Sequence, residues 1–473
     1  MNHIHSSTKE YDAIIVGAGF SGLYQLICLR DQLGLKCVVL ETGDDVGGTW
    51  YWNRYPGARC DTESHAYSYY FSDELLKEWT WSERYPGHEE IRKYMNFVAS
   101  KFDLKKDILF KQKVTSAKFI EDSNNWNVKT DNNNFKCKFL ITAVGCLSNT
   151  NIPKIKGLEN FEGSYYHTGN WPKNGVSFVN KTVGQIGTGS TGIQAVPVIA
   201  AEAKHLTVFQ RTANYSIPAR NKPLTEKFKK QVKENFQYYK DLIKRTPNAH
   251  PFEISDRLVA DVNSEEMKHI YEKAWEKGGL QFRAAFNDLV TNFEANKTAS
   301  DFIKNKINET VLNKKFASIL SDIDHPYAGK RPPIDSNYFE TYNRDNVNLI
   351  DLRRDPIKCI NKNGIETEKN NFDLDIIVFA TGYDAMTGPL LNMNIFGKNN
   401  LKLKNDWKEG PKTFLGLQIP GFPNLFTITG PGSPSVLTNM PMAIEQHVEW
   451  LSLIHISEPT RRRGISYAVF CLK

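Results

Sequence analysis

Long hydrophobic runs are missing from this chain. No apolar stretch approaches the length needed to cross a bilayer, so no membrane partner is expected. The opening residues Met1–Glu10 are polar and hold no apolar core of a secretion signal. Cysteine is sparse: seven residues are scattered without CxxC spacing, which argues against a disulfide framework or a metal site. Reduced thiols in the cytoplasm are the expectation. Blocks of one charge are absent too. The 60 basic and 53 acidic residues are mixed along the chain, so the formal charge of +7 points to no nucleic-acid partner. No internal repeat or low-complexity tract appears. What remains is an ordinary globular composition, 40% hydrophobic and 24% charged, in 473 residues, enough for two or three domains.

What is present is a pair of glycine-rich loops, each in the local setting a dinucleotide needs. Tyr11–Val16 is an apolar run expected as a buried parallel strand, and it feeds Gly17-Ala18-Gly19-Phe20-Ser21-Gly22. Leu23, Leu26, Ile27 and Leu33 then recur at helical spacing until Gly34 stops the helix. Cys37–Leu40 is a second strand with Glu41 at its end. Gly17, Gly19 and Gly22 let the backbone approach a pyrophosphate at the helix N-terminus, with Ser21 in the same turn, and Glu41 bonds a ribose hydroxyl. The second loop, Gly187-Thr188-Gly189-Ser190-Thr191-Gly192, follows a strand over Lys181–Ile186 and opens a helix through Ala203. Its next strand, Leu206–Phe209, ends in Gln210-Arg211-Thr212 where an NAD site would carry an acid. An arginine there matches a 2′-phosphate, which favours NADPH. Gln185 is unexpected in a buried parallel strand and is expected to weaken the sheet locally. Pro197 is expected to kink its helix unless it lies close to the helix start.

Between Pro223 and Leu320 the strand signal vanishes. Phe228, Val232, Phe236, Tyr239, Leu242 and Ile243 recur at spacings of three and four, predicting an amphipathic helix with others following. Phe372–Gly382 reads as a strand ending in Ala380-Thr381-Gly382, matching the strand and small-residue turn of 137–145. The fold class is therefore α/β, two Rossmann-like dinucleotide-binding domains with a helical insertion. The expected partition is 1–148 and 380–450, 149–213 and 328–379, with 214–327 inserted.

Between the two loops stands Phe161-Glu-Gly163-Ser-Tyr-Tyr-His167-Thr-Gly-Asn-Trp171-Pro172. It fits the pattern F-x-G-x-x-x-H-x-x-x-W-P/D, and so resembles the fingerprint of Baeyer–Villiger monooxygenases. Gly47 to Asp61, with Trp50, Tyr55, Pro56 and Gly57, resembles that family's second fingerprint at every specified position. The resemblance runs from Asp12 to Trp450. It implies FAD on the first domain and NADPH on the second, with a ketone and O₂ as substrates. The implied product is an ester or lactone, formed through a C4a-peroxyflavin.

The same resemblance assigns residues. Arg331, in Gly329-Lys330-Arg331-Pro332-Pro333, would be catalytic and Asp61 would hold it in position. Trp50 and Tyr67 would lie near the flavin, and Thr49, Arg59, Val114, Gln194 and Met440 would add cofactor contacts. Gly187, Gly189, Ser190, Thr191 and Gly192 would hold NADPH, with Arg211, Thr212 and Lys330 on its phosphate. The fingerprint His167 and Trp171 would govern domain motion, and Ser433–Met440 would touch substrate. A monomer is expected. Two other readings stay open: an N- or S-oxidising flavin monooxygenase, and an inactive fragment that binds flavin and NADPH. Leu451–Lys473 departs from the pattern before it and reads as the translation of a sequencing-library adapter, so a loosely packed, non-native tail is expected there.

Overall fold

The computed structural model describes residues 8–452. Its first sheet is built around β1 (Lys9–Val16), whose last four residues are all buried. β1 leads through the first glycine loop into α1 (Phe20–Ile27), a helix buried along its whole length. β2 (Cys37–Leu40) then pairs parallel to β1, with Ala13 opposite Cys37 and Val16 opposite Leu40. On its other edge β1 meets β3 (Asn134–Thr142), also parallel, with Val16 opposite Thr142. Both faces of this centre are covered, which is why its strands are continuously apolar rather than alternating. The eight strands run Asn394–Phe396, Val114–Ile120, Asn125–Thr130, β3, β1, β2 and Ile108–Leu109, with Leu425–Thr427 pairing β3. The late strands mean that the chain returns to this sheet after leaving it.

The second sheet is five-stranded and parallel. β4 (Thr182–Ile186) leads through the second glycine loop into α2 (Ser190–Glu202), and β5 (His205–Gln210) pairs beside it. β6 (Ile376–Phe379) lies on the other side of β4. Ser164–His167 and Val347–Asp351 form the two edges. Phe372–Gly382 does not begin as one strand as expected: Asn371–Asp373 belongs to a separate three-stranded antiparallel sheet, and only Ile376–Phe379 joins the five. Asp375 makes the break, its side chain accepting from Thr182 N at 2.8 Å and its carbonyl from Ser164 N at 3.0 Å.

One expectation about the second loop is corrected. Gln185 is fully buried, yet its Nε2 donates to the carbonyls of Gly187 at 3.1 Å and Gly192 at 3.2 Å. It fastens the loop to the first turn of α2 instead of weakening the sheet. Pro197 lies inside α2, which continues past it to Glu202, with Val196, Ile199 and Ala200 buried around it.

The helical insertion contains helices from Glu226 to Ser321; those from Ser264 onward share a core with the second sheet, while Tyr239 and Ile243 of the earlier helices pack on Ala66 and Tyr70 in a separate cluster. The long amphipathic helix expected over 228–243 is two, Glu226–Glu234 and Phe236–Arg245, broken at Asn235 (φ −120°, ψ 27°). Tyr271 is the insertion's hub, its ring 5.5 Å from Phe282 and 5.4 Å from Phe286.

α3 (Met440–Trp450) closes the first sheet against α1, and Ile444, Val448 and Leu451 enter the same core as Leu23 and Leu26. Leu451 is therefore not loosely packed; it falls in helical phase with Ile444 and Val448 and is wholly buried. Ser452 accepts a hydrogen bond from Gln25 Nε2 at 3.1 Å. The remainder of the expected tail, 453–473, lies outside the described residues. No helix among the described residues is long and apolar enough to cross a membrane.

Candidate active site

The two glycine loops repeat one geometry. Gly17 has φ +105°, and a Cβ there would stand 2.6 Å from the carbonyl oxygen of Ala143, at the end of β3. Gly187 has φ +107° and abuts the carbonyl of Ala380, after β6, more closely still. Only glycine satisfies both the left-handed backbone and the contact. Gly22 and Gly192 then press on the carbonyls of Gly17 and Gly187, bringing each helix against its own loop. α1 and α2 begin at Gly19 and Gly189 with no side-chain cap and no acid in the first turn. Such helix starts suit an anionic ligand, and the residues present fit a pyrophosphate at both. Ser21 is buried in the first turn of α1, while Ser190 is exposed and Thr191 partly buried in that of α2.

Glu41 lies at the end of β2, where its carboxylate accepts from Ala18 N at 2.7 Å and Gly43 N at 2.6 Å. Burial raises its pKa, and these backbone donors work against the rise. The Glu41 backbone also binds Gln112 N at 2.8 Å, two residues before the buried Val114. Glu41 and Val114 therefore flank the same end of the loop.

The segment after β2 folds back over the loop. The exposed Thr49 opens a short helical turn in which Trp50 and Tyr51 are buried, and Trp50 donates its Nε1–H to Tyr67 OH at 3.0 Å, the rings meeting edge to face. Met440 begins α3 and packs against this core. Further on, Tyr55 OH donates to Gln194 Oε1 at 2.7 Å, and Gln194 Nε2 donates to Arg59 O at 3.2 Å. This segment is thereby docked on α2. The Arg59 guanidinium turns away from α2, towards Glu83 Oε1 at 3.4 Å and Tyr85 O at 3.1 Å.

Asp61 and Arg331, 270 residues apart, meet as a two-pronged ion pair. Arg331 Nε donates to Asp61 Oδ2 at 2.7 Å and Nη2 to Oδ1 at 2.9 Å. Nη1 donates to the Val436 carbonyl at 2.8 Å. Their side chains are 21% and 27% exposed, enough to be reached and not enough to be screened as a surface pair. Burial pushes the Asp61 carboxyl up, but Arg331 outweighs it and holds the group below the usual range. Burial pulls Arg331 down and Asp61 more than restores it, so both stay charged. A fixed, desolvated guanidinium of this kind stabilises negative charge that develops on an oxygen.

Arg211 follows β5 directly and is exposed, as is Lys330; neither forms an ion pair with another described residue. Thr212 supplies its carbonyl to Thr188 Oγ1 at 3.0 Å, tying the loop to the strand end. Arg211 and Thr212 therefore stand beside the second loop, with Lys330 adjacent to the paired Arg331.

The fingerprint residues occupy the crossing between the two sheets. His167 ends the edge strand opposite Phe379, and its Nδ1 accepts from Gly169 N at 3.0 Å. The linkers bond to each other there: Asn151 N to Gly382 O at 3.1 Å and Asp384 N to Asn149 O at 2.9 Å. Trp171 is buried against Phe178 and Tyr166, with Pro172 partly covered beside it, while Gly163 holds Phe161 and the Asp375 carbonyl too close for any side chain.

Sequence reasoning missed several partners. Tyr383 OH donates to Asn53 Oδ1 across the crossing, a link carried by no motif. His250 and Arg283, both from the insertion, lie within electrostatic reach of Arg331. The Val436 carbonyl is a backbone ligand that no side-chain pattern reveals.

Comparison with known proteins extends this geometry. A model of the family described as flavin-binding monooxygenase-like matches residues 11–238. The cyclohexanone 1,2-monooxygenase of an Acinetobacter species is 45% identical over 94% of this chain and 82% of its own length. A Baeyer–Villiger monooxygenase of Pseudooceanicola batsensis is 44% identical over 94% and 81%. Among solved structures, OTEMO in complex with FAD and NADP superposes with a TM-score of 0.91, at 41% identity, covering 94% of this chain and 85% of that one.

Proposed function

The chain belongs to the Baeyer–Villiger monooxygenases, within the flavin-binding monooxygenase-like family, and on that premise we propose that it oxidises ketones to esters or lactones with NADPH and O₂. What carries the reading is the Arg331–Asp61 pair in a chain with two dinucleotide loops. FAD belongs to the unit formed by 1–148 and 380–450, held by Gly17, Gly19, Ser21, Gly22 and Glu41, with Thr49, Trp50, Arg59, Tyr67, Val114 and Met440 around it. NADPH belongs to 149–213 and 328–379, held by Gly187, Gly189, Ser190, Thr191, Gly192 and Gln194. Arg211, Thr212 and Lys330 take its 2′-phosphate. The region 214–327 is the insertion.

When bound, NADPH supplies the hydride and FAD the activation of O₂; the protein supplies position and charge. Arg331 stabilises the oxyanion that develops on the ketone oxygen when the carbonyl is attacked. Asp61 is its positioning residue: its two oxygens hold Nε and Nη2 along one edge of the guanidinium, while Val436 O holds Nη1. The uncharged imidazole of His167, buried at the crossing of the linkers, holds the relation between the two units and takes no part in bond making.

The test is product analysis with a cyclic ketone and a thioether, each with NADPH and air. One lactone formed per NADPH consumed supports the reading. Sulfoxide without lactone, or NADPH oxidation that yields only hydrogen peroxide, overturns it.

A further inference from the structure

Arg283 is a cation that pairs with no anion among the described residues. It lies in the 3-10 segment Gly279–Ala285 of the insertion, partly buried, and its Nε is fully buried with no hydrogen-bond partner. No ion pair joins it to an acid among the described residues, and Gln281, two residues earlier, sets this segment beside Glu63, whose neighbourhood of carboxylates is already engaged. Both oxygens of Asp61 are taken by Arg331. Glu63 Oε1 accepts from Arg84 at 3.0 and 2.6 Å and from Gln281 Nε2 at 2.8 Å. Asp288 caps Val259 N at 3.1 Å. Burial lowers the pKa of Arg283; Tyr327 opposes that, and the nearby charge of Arg331 adds to it.

A second element lies within electrostatic reach of Arg283 and Arg331. Asn248 and Ala249 have φ of +60° and +54°, a left-handed pair that turns the chain into the buried His250. The Asn248 carbonyl is clipped by Thr438 Oγ1 at 2.9 Å and Asn439 N at 3.0 Å. Two residues earlier in that loop, Val436 O holds Arg331. His250 stacks on Phe252 with centroids 5.1 Å apart. Burial first, then Arg331 and Arg283, bring its pKa down to about 4, so at neutral pH it adds no charge. Two guanidiniums and a neutral imidazole thus share one neighbourhood with two carboxylates, Asp61 and Glu63, each already paired with another arginine. Burying an unpaired charge is costly, and a charged ligand removes that cost.

Building on the ketone-oxidising reading, we propose that Arg283 is a specificity residue that pairs with a carboxylate on the substrate, so that the site prefers an oxo acid to a neutral ketone. Arg331 then serves the reacting carbonyl and Arg283 the remote anion. A nucleotide phosphate is the other source of such an anion, and the experiment separates the two.

The probes are (2-oxocyclopentyl)acetate and its methyl ester, which differ in charge at one end. Their affinities for the FAD-loaded protein are measured by titration calorimetry, together with that of NADP⁺, and steady-state kinetics follow with each ketone. The acid is expected to bind more tightly than the ester in the unaltered protein. Arg283→Met should weaken the acid about ten- to a hundredfold, as loss of a charge-assisted hydrogen bond does, and leave the ester and NADP⁺ unchanged. Arg283→Lys should recover part of the loss, and KM for the acid should move while kcat does not. Equal affinity for acid and ester in the unaltered protein overturns the proposal without any variant. So does a loss shared equally by both ketones, or one confined to NADP⁺. Acid binding that depends on Arg283 without lactone from either ketone would sink the monooxygenase reading and leave the anion site standing. Lactone from both without charge preference would do the reverse.

Discussion

Arg331 Nε and Nη2 grip the two oxygens of Asp61 at 2.7 and 2.9 Å, and the remaining Nη1 rests on the Val436 carbonyl. All three nitrogens of one guanidinium are therefore fixed by two distant parts of the chain. Arg331→Ala should retain FAD and its reduction by NADPH but lose lactone formation, by roughly 10²–10³-fold in kcat if it acts as a preorganised oxyanion donor. Anaerobic stopped-flow reduction alongside product analysis checks both halves. Unchanged ketone oxidation would remove Arg331 from the mechanism.

Arg211 offers a separable test of cofactor choice. It is exposed at the end of β5 and makes no ion pair with a described residue, so it is free to meet a phosphate. Arg211→Ala should weaken NADPH by about 1.5–3 kcal/mol, roughly ten- to a hundredfold, and leave NADH nearly untouched. Equal losses for both nucleotides would show that this residue does not read the 2′-phosphate.

Gln185 donates to two loop carbonyls from inside the second sheet. Gln185→Leu should therefore destabilise the protein by about 1–3 kcal/mol, the net worth of two hydrogen bonds, despite being more apolar. It should weaken NADP⁺ binding as the loop loosens. Thermal melts with and without NADP⁺ measure both effects, and a variant more stable than the original would restore the view that Gln185 weakens the sheet.

Glu445 sets a pH dependence. Its Oε1 accepts from both Tyr70 N and Phe71 N, and burial, with Glu449 nearby, raises its pKa to about 7. The folded state thus keeps a proton that the unfolded state releases near 4.5. Stability from this group is fully present below the unfolded value and is lost as pH rises towards 7. The span is on the order of 3 kcal/mol. Glu445→Gln keeps an oxygen able to accept both backbone donors and should flatten this slope, melting higher than the original protein at pH 8. Parallel slopes for the two proteins between pH 5 and 8 would refute it.

The glycine loops, Glu41, the strand Cys37–Leu40 and the helical insertion were legible in the sequence, because a strand, a tight turn and a helix start are dictated by neighbours a few residues apart. Gln185 was misread for the same reason. Its period said apolar strand, and only the arrival of Gly187 and Gly192 carbonyls above it supplied partners. The break at Asn235 and the turn at Asp375 are likewise decided by what packs alongside, as is the burial of Leu451 against α1. The role of Arg331 was readable only through resemblance to a family. Its geometry with Asp61, the Val436 carbonyl, His250 and Arg283 came from four segments that no local pattern connects. Local sterics and hydrophobic period determine the elements, whereas burial and long-range electrostatics, which exist only once those elements are packed, decide which charges meet and which one is left without a partner.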